Sequence, residues 1–138
     1  MTEYLYVGER VQKYDAAGKV TGRAVYGHDI VVPKMLYGKI LYSPYAHARI
    51  LNIDTSRAAR APGVRAIITA ADQPDRKMGF LRDNQPLKGD KVRCLRDEVA
   101  AVAATSSDAA NEALQLIDVE YEELPAVFDP FEALEDDA

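Results

Sequence analysis

Val99-Ala100-Ala101-Val102-Ala103-Ala104, followed at once by Thr105-Ser106-Ser107-Asp108, is the stretch on which the fold turns. Its alanines favour helix, whereas its length and its valines favour a buried strand. The hydroxyl run decides for strand, because Thr105, Ser106 and Ser107 offer the oxygens that begin a new helix immediately afterward. From Asp108 the period changes. Ala110, Ala113, Leu114 and Ile117 stand at i, i+3, i+4 and i+7, one apolar stripe, and Asp108 complements the positive end of the helix dipole. The spacing predicts a helix over 108–117. Asp118 to Leu124 then alternates, with Val119 and Tyr121 on one face and Glu120 and Glu122 on the other, until Pro125 closes the strand.

Upstream the same changes of period recur. Leu36 to Ser43 is rich in aromatic and branched side chains and is stopped by Pro44, which suits a strand; Arg49 to Ile53 supplies a second. Asp54-Thr55-Ser56 offers capping oxygens for a short helix over Arg57 to Ala61, ended by Pro62-Gly63. Val64, Ala66 and Ile68 then alternate with Arg65, Ile67 and Thr69. The sum is an α+β domain: a mixed sheet, a few short helices and one longer helix near the C-terminus. Residues 1–35, punctuated by Gly18, Gly22 and Gly27, read as an irregular leader with one short helical turn. Residues 131–138, ending in acidic side chains, read as a linker.

Between the strands lies a long loop, Gln73 to Lys91, carrying Pro74, Gly79, Pro86 and Gly89. Loops of this length in compact domains are functional or interfacial. Met78, Phe80 and Leu81 are apolar residues in it that gain nothing from exposure, so they are the interface candidates, in a loop expected to be disordered until it docks on a partner.

The 138 residues are 48% hydrophobic and 28% charged with a net charge of -5, the composition of one globular domain with a real core. The longest apolar run falls far short of the ~20 residues of a spanning helix, and no signal-peptide pattern opens the chain, so a non-secreted, cytoplasmic protein away from membranes is expected. The single cysteine, Cys94, excludes an internal disulfide framework and an iron–sulfur cluster ligated within this chain. Charge is segregated: 17 basic against 9 acidic residues up to Arg96 give +8, and 13 acidic residues with no basic one from Asp97 onward give -13. Two parts folding against each other with complementary fields explain this better than separate binding surfaces. The dispersed basic residues and a pI near 5.0 argue against nucleic acid.

The residues that tempt a chemical reading each have a structural one beside it. His47 ahead of a strand suits an imidazole bonding backbone as well as a ligand or base. His28 and Asp29 would make an acid–base pair, except that neighbours in extended chain point apart, which favours a turn. Cys94, in a predicted strand, has Arg93 and Arg96 to lower its pKa, against the alternative of a buried inert thiol. Asp97 and Glu98 suit either a cation or a solvated strand entry. Tyr37, Tyr42 and Tyr45 suit either an aromatic channel or half-buried strand positions. No GxGxxG, P-loop, cysteine cluster or Ser-His-Asp arrangement is present, so no catalytic, cofactor-binding or metal residues are assigned.

Several strings nevertheless resemble one family in order and approximate spacing. They are Val20-Thr21-Gly22-Arg23-Ala24, Leu36 to Pro44 with Ala46-His47-Ala48-Arg49-Ile50, Ile53-Asp54-Thr55-Ser56, Pro62-Gly63-Val64, Thr69-Ala70-Ala71-Asp72, Val99 to Ala103, and Val119 to Val127. Together they look like the amino-terminal a/b hammerhead domain of the xanthine dehydrogenase and aldehyde oxidase family, the molybdenum hydroxylases. The family often has Gly-Glu-Pro where this chain reads Arg96-Asp97-Glu98, and His in place of Tyr45. Asp97-Glu98-Val99 and Gln85-Pro86-Leu87 look most like the 4-hydroxybenzoyl-CoA reductase and related bacterial branches. The resemblance implies a single hammerhead domain over residues 1–138, non-catalytic alone and binding no cofactor itself. It would pack against the cofactor-binding domains of a large subunit. The whole enzyme would use a molybdopterin-type molybdenum cofactor, with iron–sulfur clusters and FAD or another acceptor elsewhere. The other reading is a free-standing α+β interaction module that shares the fold.

Overall fold

The computed structural model describes residues 5–73 and 77–135. Pro74, expected in the long loop, and Asp136 and Asp137 of the expected linker lie outside them. Internal contacts divide the chain into two compact units, Met1–Pro33 and Lys34–Ala138.

The first unit carries α1 (Ala16–Val20) and a 3-10 turn at Gly27–Asp29, neither with a buried residue. Two short turns thus stand where one was expected. Arg23 and Ala24 both donate their N–H to Gly18 O, which ends α1. In the second turn the Asp29 carboxylate accepts the Tyr26 N–H at 2.9 Å.

The second unit runs β1 (Tyr37–Tyr42), β2 (Ala48–Asp54), α2 (Ser56–Ala59), β3 (Val64–Thr69), β4 (Lys91–Val92), β5 (Glu98–Ala104), α3 (Ser107–Gln115) and β6 (Asp118–Glu123). The α+β class is the observed one, but the strands form two three-stranded sheets, β1-β5-β3 and β4-β2-β6, not one mixed sheet. Every pairing is antiparallel. Odd-numbered strands build the first sheet and even-numbered strands the second, so each connection carries the chain across.

The deciding stretch is β5, the central strand of the first sheet, and α3 begins where the hydroxyls predict: Ser106 Oγ accepts the Ala109 N–H at 3.1 Å. Ala110 and Ala113 of α3 are fully buried with Ala100, Val102 and Ala104 of β5, Ala58 of α2 and Ile117. Such small side chains bring helix and sheet backbones close together, so this core is narrow. The second cluster holds Ala48, Ile50, Val92 and Val99; Ile53 and Val119 pack against both.

Two local features depart from the alternation read in the sequence. A register shift between Val64 and Ala66 makes Arg65 the extra residue of a bulge in β3. Past it, Ile67 joins Val64 on the α3 side and Ile68 turns outward, 48% exposed. Second, β4 ends at Val92, so Cys94 sits in a tight turn and not in a strand. The segregated charges do meet across the fold: Arg49 pairs with Glu122 across β2 and β6, and Lys88 lies between Asp97 and Glu98.

Candidate functional site

The long loop is a small hairpin standing on a polar latch. Met78 and Asn84 exchange backbone hydrogen bonds, Met78 N–H to Asn84 O at 2.7 Å and the reverse at 3.4 Å, and the chain reverses between them through Gly79 and Arg82, both at positive φ. Phe80 is fully exposed at the tip, Leu81 is 75% exposed and Met78 52%. The three interface candidates therefore share one projecting element.

Its base is held from two sides. Gln73 brackets the backbone of buried Leu87, accepting its N–H at 3.0 Å and donating to its carbonyl at 2.7 Å, as a neighbouring strand would. Lys88 is 7% exposed; its N–H donates to Glu98 O at 2.7 Å, and its Nζ donates to Asn84 Oδ1 at 2.9 Å and Gln85 O at 2.8 Å. The same Nζ stands 3.7 Å from Asp97 Oδ1 and 3.6 Å from Glu98 Oε2. A buried ammonium needs such partners to offset its lost hydration. The expectation of a wholly disordered loop is thus corrected at Leu87, Lys88 and Asp90, whose backbones bond to Gln73, Glu98 and Ile50.

Asp97 is the centre of the latch, and the expectation that Asp97 and Glu98 make a solvated strand entry is corrected with it. Its Oδ2 accepts the N–H of Arg93 at 2.7 Å and of Cys94 at 3.3 Å, and its Oδ1 accepts the Cys94 thiol at 3.3 Å. Burial pushes its carboxyl up, but the Arg93 and Cys94 bonds and the Lys88 charge together hold it below the usual range. Asp97 in turn raises the Cys94 thiol pKa, chiefly through that hydrogen bond, with a further push from partial loss of hydration. The suggested lowering by Arg93 and Arg96 is corrected: Cys94 is exposed, not buried, and the carboxylate beside it disfavours thiolate. Arg96 occupies the turn at φ 70°, a left-handed conformation that favours glycine, with its guanidinium over the Tyr42 ring.

The remaining candidates disperse. His47 Nδ1 donates to Pro125 O at 2.5 Å, the backbone bond a structural imidazole makes. His28 and Asp29 lie in the 3-10 turn, the turn the sequence favours, and there the two exposed side chains approach to 3.3 Å. Tyr45 packs on Tyr121, Tyr42 lies under Arg96 and Tyr37 stands at the other end of β1, so no shared channel forms. An open polar groove of about 450 Å³ runs between hairpin and latch, past Lys77, Asp83, Asp90 and Arg93. A second groove of about 480 Å³ has His47 and Cys94 among its lining, without an activated thiol. No group of three His, Cys, Asp or Glu side chains suited to a metal occurs among the described residues, and Cys94 is committed to Asp97. These donors do not fit a molybdenum centre. Nor, among the described residues, is any helix long and apolar enough to cross a membrane.

Lys88 and Gln73 carry no signal in the sequence. Both lie in polar stretches without period, and only the chain's return at 84–98 makes them neighbours.

Two antiparallel sheets visited alternately by the chain, with one alanine-lined helix packed on the first, make a small α+β domain. The family model for the aldehyde oxidase and xanthine dehydrogenase a/b hammerhead domain matches residues 21–125, and the chain belongs to that family. It is 44% identical over 126 residues to a probable xanthine dehydrogenase component of Bacillus subtilis, covering 90% of this chain and 17% of the relative. It is 42% identical over 122 residues to the carbon monoxide dehydrogenase large chain of Afipia carboxidovorans, covering 85% of this chain and 15% of that one. A nicotinate dehydrogenase large molybdopterin subunit of Eubacterium barkeri is 38% identical over 138 residues, covering 99% of this chain and 32% of that subunit. Among solved structures, reconstituted CO dehydrogenase from Oligotropha carboxidovorans superimposes with a TM-score of 0.87 at 38% identity over 95% of this chain and 17% of that one. Quinoline 2-oxidoreductase from Pseudomonas putida 86 does so at 0.80 and 38%, over 93% and 18%. The chain thus spans between 15% and 32% of the length of these three relatives.

Proposed function

We propose that this chain serves as the non-catalytic hammerhead module of a molybdenum-hydroxylase large subunit, packing against the cofactor-binding domains. The carrying observation is the family match over 21–125 in a chain equal to 17% of one relative and 15% of another. Relatives whose names cite xanthine, carbon monoxide and nicotinate share this module, which supports a role for it other than choosing one substrate. In this reading residues 1–138 form one domain with a leader over 1–35 and a linker over 131–138. The enzyme is cytoplasmic, and molybdopterin-type cofactor, iron–sulfur clusters and the final acceptor belong to other domains or subunits.

Met78, Phe80 and Leu81 form the contact with those domains. An exposed apolar tip on an ordered base is a docking element: the base sets its direction and the tip supplies area that is removed from water on assembly. Replacing Phe80 and Leu81 with serine is expected to change the stability of the isolated chain by less than ~0.5 kcal/mol while weakening its capture by a large subunit lacking its own hammerhead. Calorimetry and co-purification read the two effects. Stoichiometric molybdenum in the purified chain, or undiminished capture of the double variant, would overturn the reading.

A further inference from the structure

We infer that the outer face of the β1-β5-β3 sheet is a second docking surface, covered by the cofactor-binding remainder of the large subunit; this rests on the function proposed above. The register places the residues. Gly38, Ala103 and Ala66 make one row across the three strands and Ile40, Ala101 and Ile68 the next. Their neighbours Leu41, Val102 and Ile67 pack in the α3 core, so these two rows point away from α3. Not one of the six is polar. Arg65 at the β3 bulge and Arg96 over Tyr42 are the charges at the margin.

The sequence indicates that this face is meant to be covered. β5 is apolar without interruption from Val99 to Ala104, the pattern of a strand buried on both faces; a strand with one wet face alternates with polar residues, as β6 does. α3 covers one face, and the second cluster takes in Val99 at the start of the strand, but around Ala101 and Ala103 nothing among the described residues of this unit covers the other face, where Ile40 and Ile68 remain 40% and 48% exposed. The bulge at Arg65 adds to the same result, since it turns Ile68 outward where plain alternation after Val64 would have put it inward.

The chemistry of the face selects its occupant. Small side chains in the centre flanked by Ile40 and Ile68 leave a shallow apolar trough, roughly 10 Å across, which admits an apolar helix or strand face at close range. Without charge it offers nothing to a nucleic acid or a charged ligand. In relatives of which this chain makes up 15–17%, several times more polypeptide is joined to the hammerhead, and that polypeptide is the occupant.

The test is hydroxyl-radical footprinting read by mass spectrometry. It compares the 138-residue chain alone with the same chain fused to the part of the Afipia carboxidovorans carbon monoxide dehydrogenase large chain that follows its hammerhead. Ile40 and Ile68 are expected to be oxidised readily in the chain alone and several-fold more slowly in the fusion, while Leu51 on the other sheet keeps its rate. Protection of Phe80 and Leu81 without protection of Ile40 and Ile68 overturns this inference and leaves the proposed function standing. Protection of neither overturns both. Protection in the chain alone that grows with its concentration shows a second copy as the occupant and also overturns it. Should the fusion fail to accumulate, the same footprint on the relative's own hammerhead, excised and within its intact subunit, decides.

Discussion

The α3 side of the second unit and the 84–98 side are held by opposite means. Around α3 the contact is alanine on alanine, with Ala100, Ala104, Ala110 and Ala113 wholly removed from water. Around 84–98 it is a carboxylate, an ammonium and a chain of backbone donors, with Asp97 and Lys88 at 8% and 7% exposure. The first is non-directional and depends on volume; the second is directional and depends on every member being present. Small side chains build a thin helix–sheet core, and a directional latch then fixes one loop in a single orientation.

The largest effect should come from removing the centre of the latch. Asp97→Ala leaves the Arg93 and Cys94 N–H groups without their acceptor and Lys88 with one fewer counter-charge, and is expected to cost about 3 kcal/mol. Urea unfolding measures it. Asp97 also gives a pH signature. Its folded pKa lies below its unfolded one, so its contribution is complete above about pH 4 and fades as pH falls through the lowered folded value. The stability gap between the protein and Asp97→Asn should accordingly be constant near neutrality and narrow below about pH 4. A gap that widens in acid would contradict the assignment.

On the α3 side the sharpest break is smaller. Gly63, at φ 85°, sits where an added Cβ would meet Thr105 Oγ1 at 2.8 Å and Ala109 Cβ at 3.1 Å, and its carbonyl accepts the Thr105 N–H at 2.9 Å. Gly63→Ala should cost about 2 kcal/mol through left-handed strain and the displaced start of α3. Equal costs for Gly63→Ala and for alanine at any exposed loop glycine would show that α3 tolerates being moved.

The smallest effect concerns Arg96. Because its φ is 70°, glycine there should be more stable than alanine by about 1 kcal/mol, the reverse of the usual order in regular structure. Thermal melts of the two variants test it. Arginine is held at this φ with its guanidinium resting on the Tyr42 ring.

What the sequence disclosed follows the same division. β5, α3 and β6 were legible because burial imposes periods of two and 3.6, and Ser106 capped α3 as a hydroxyl in that place should. The sheet division was not legible, since alternation reveals faces but not partners. The β3 bulge was hidden because a single extra residue leaves composition unchanged while reversing Ile67 and Ile68. The latch was hidden for a different reason: a buried lysine and a solvated one are the same letter, and Lys88 meets Asp97 only through folding. Met78, Phe80 and Leu81 stood out because apolar side chains in a polar loop are anomalous, and the structure leaves all three exposed.

Hydrogen exchange over residues 77–91, in the isolated chain and in a large subunit that contains it, tests most directly whether the latch presents a docking tip. The account predicts slow exchange at Leu87 and Lys88 in both states, their N–H groups being bonded to Gln73 and Glu98. It predicts fast exchange at Phe80 and Leu81 in isolation and slow exchange there on assembly. Tip exchange that is unchanged by assembly, whether fast or slow, would contradict it.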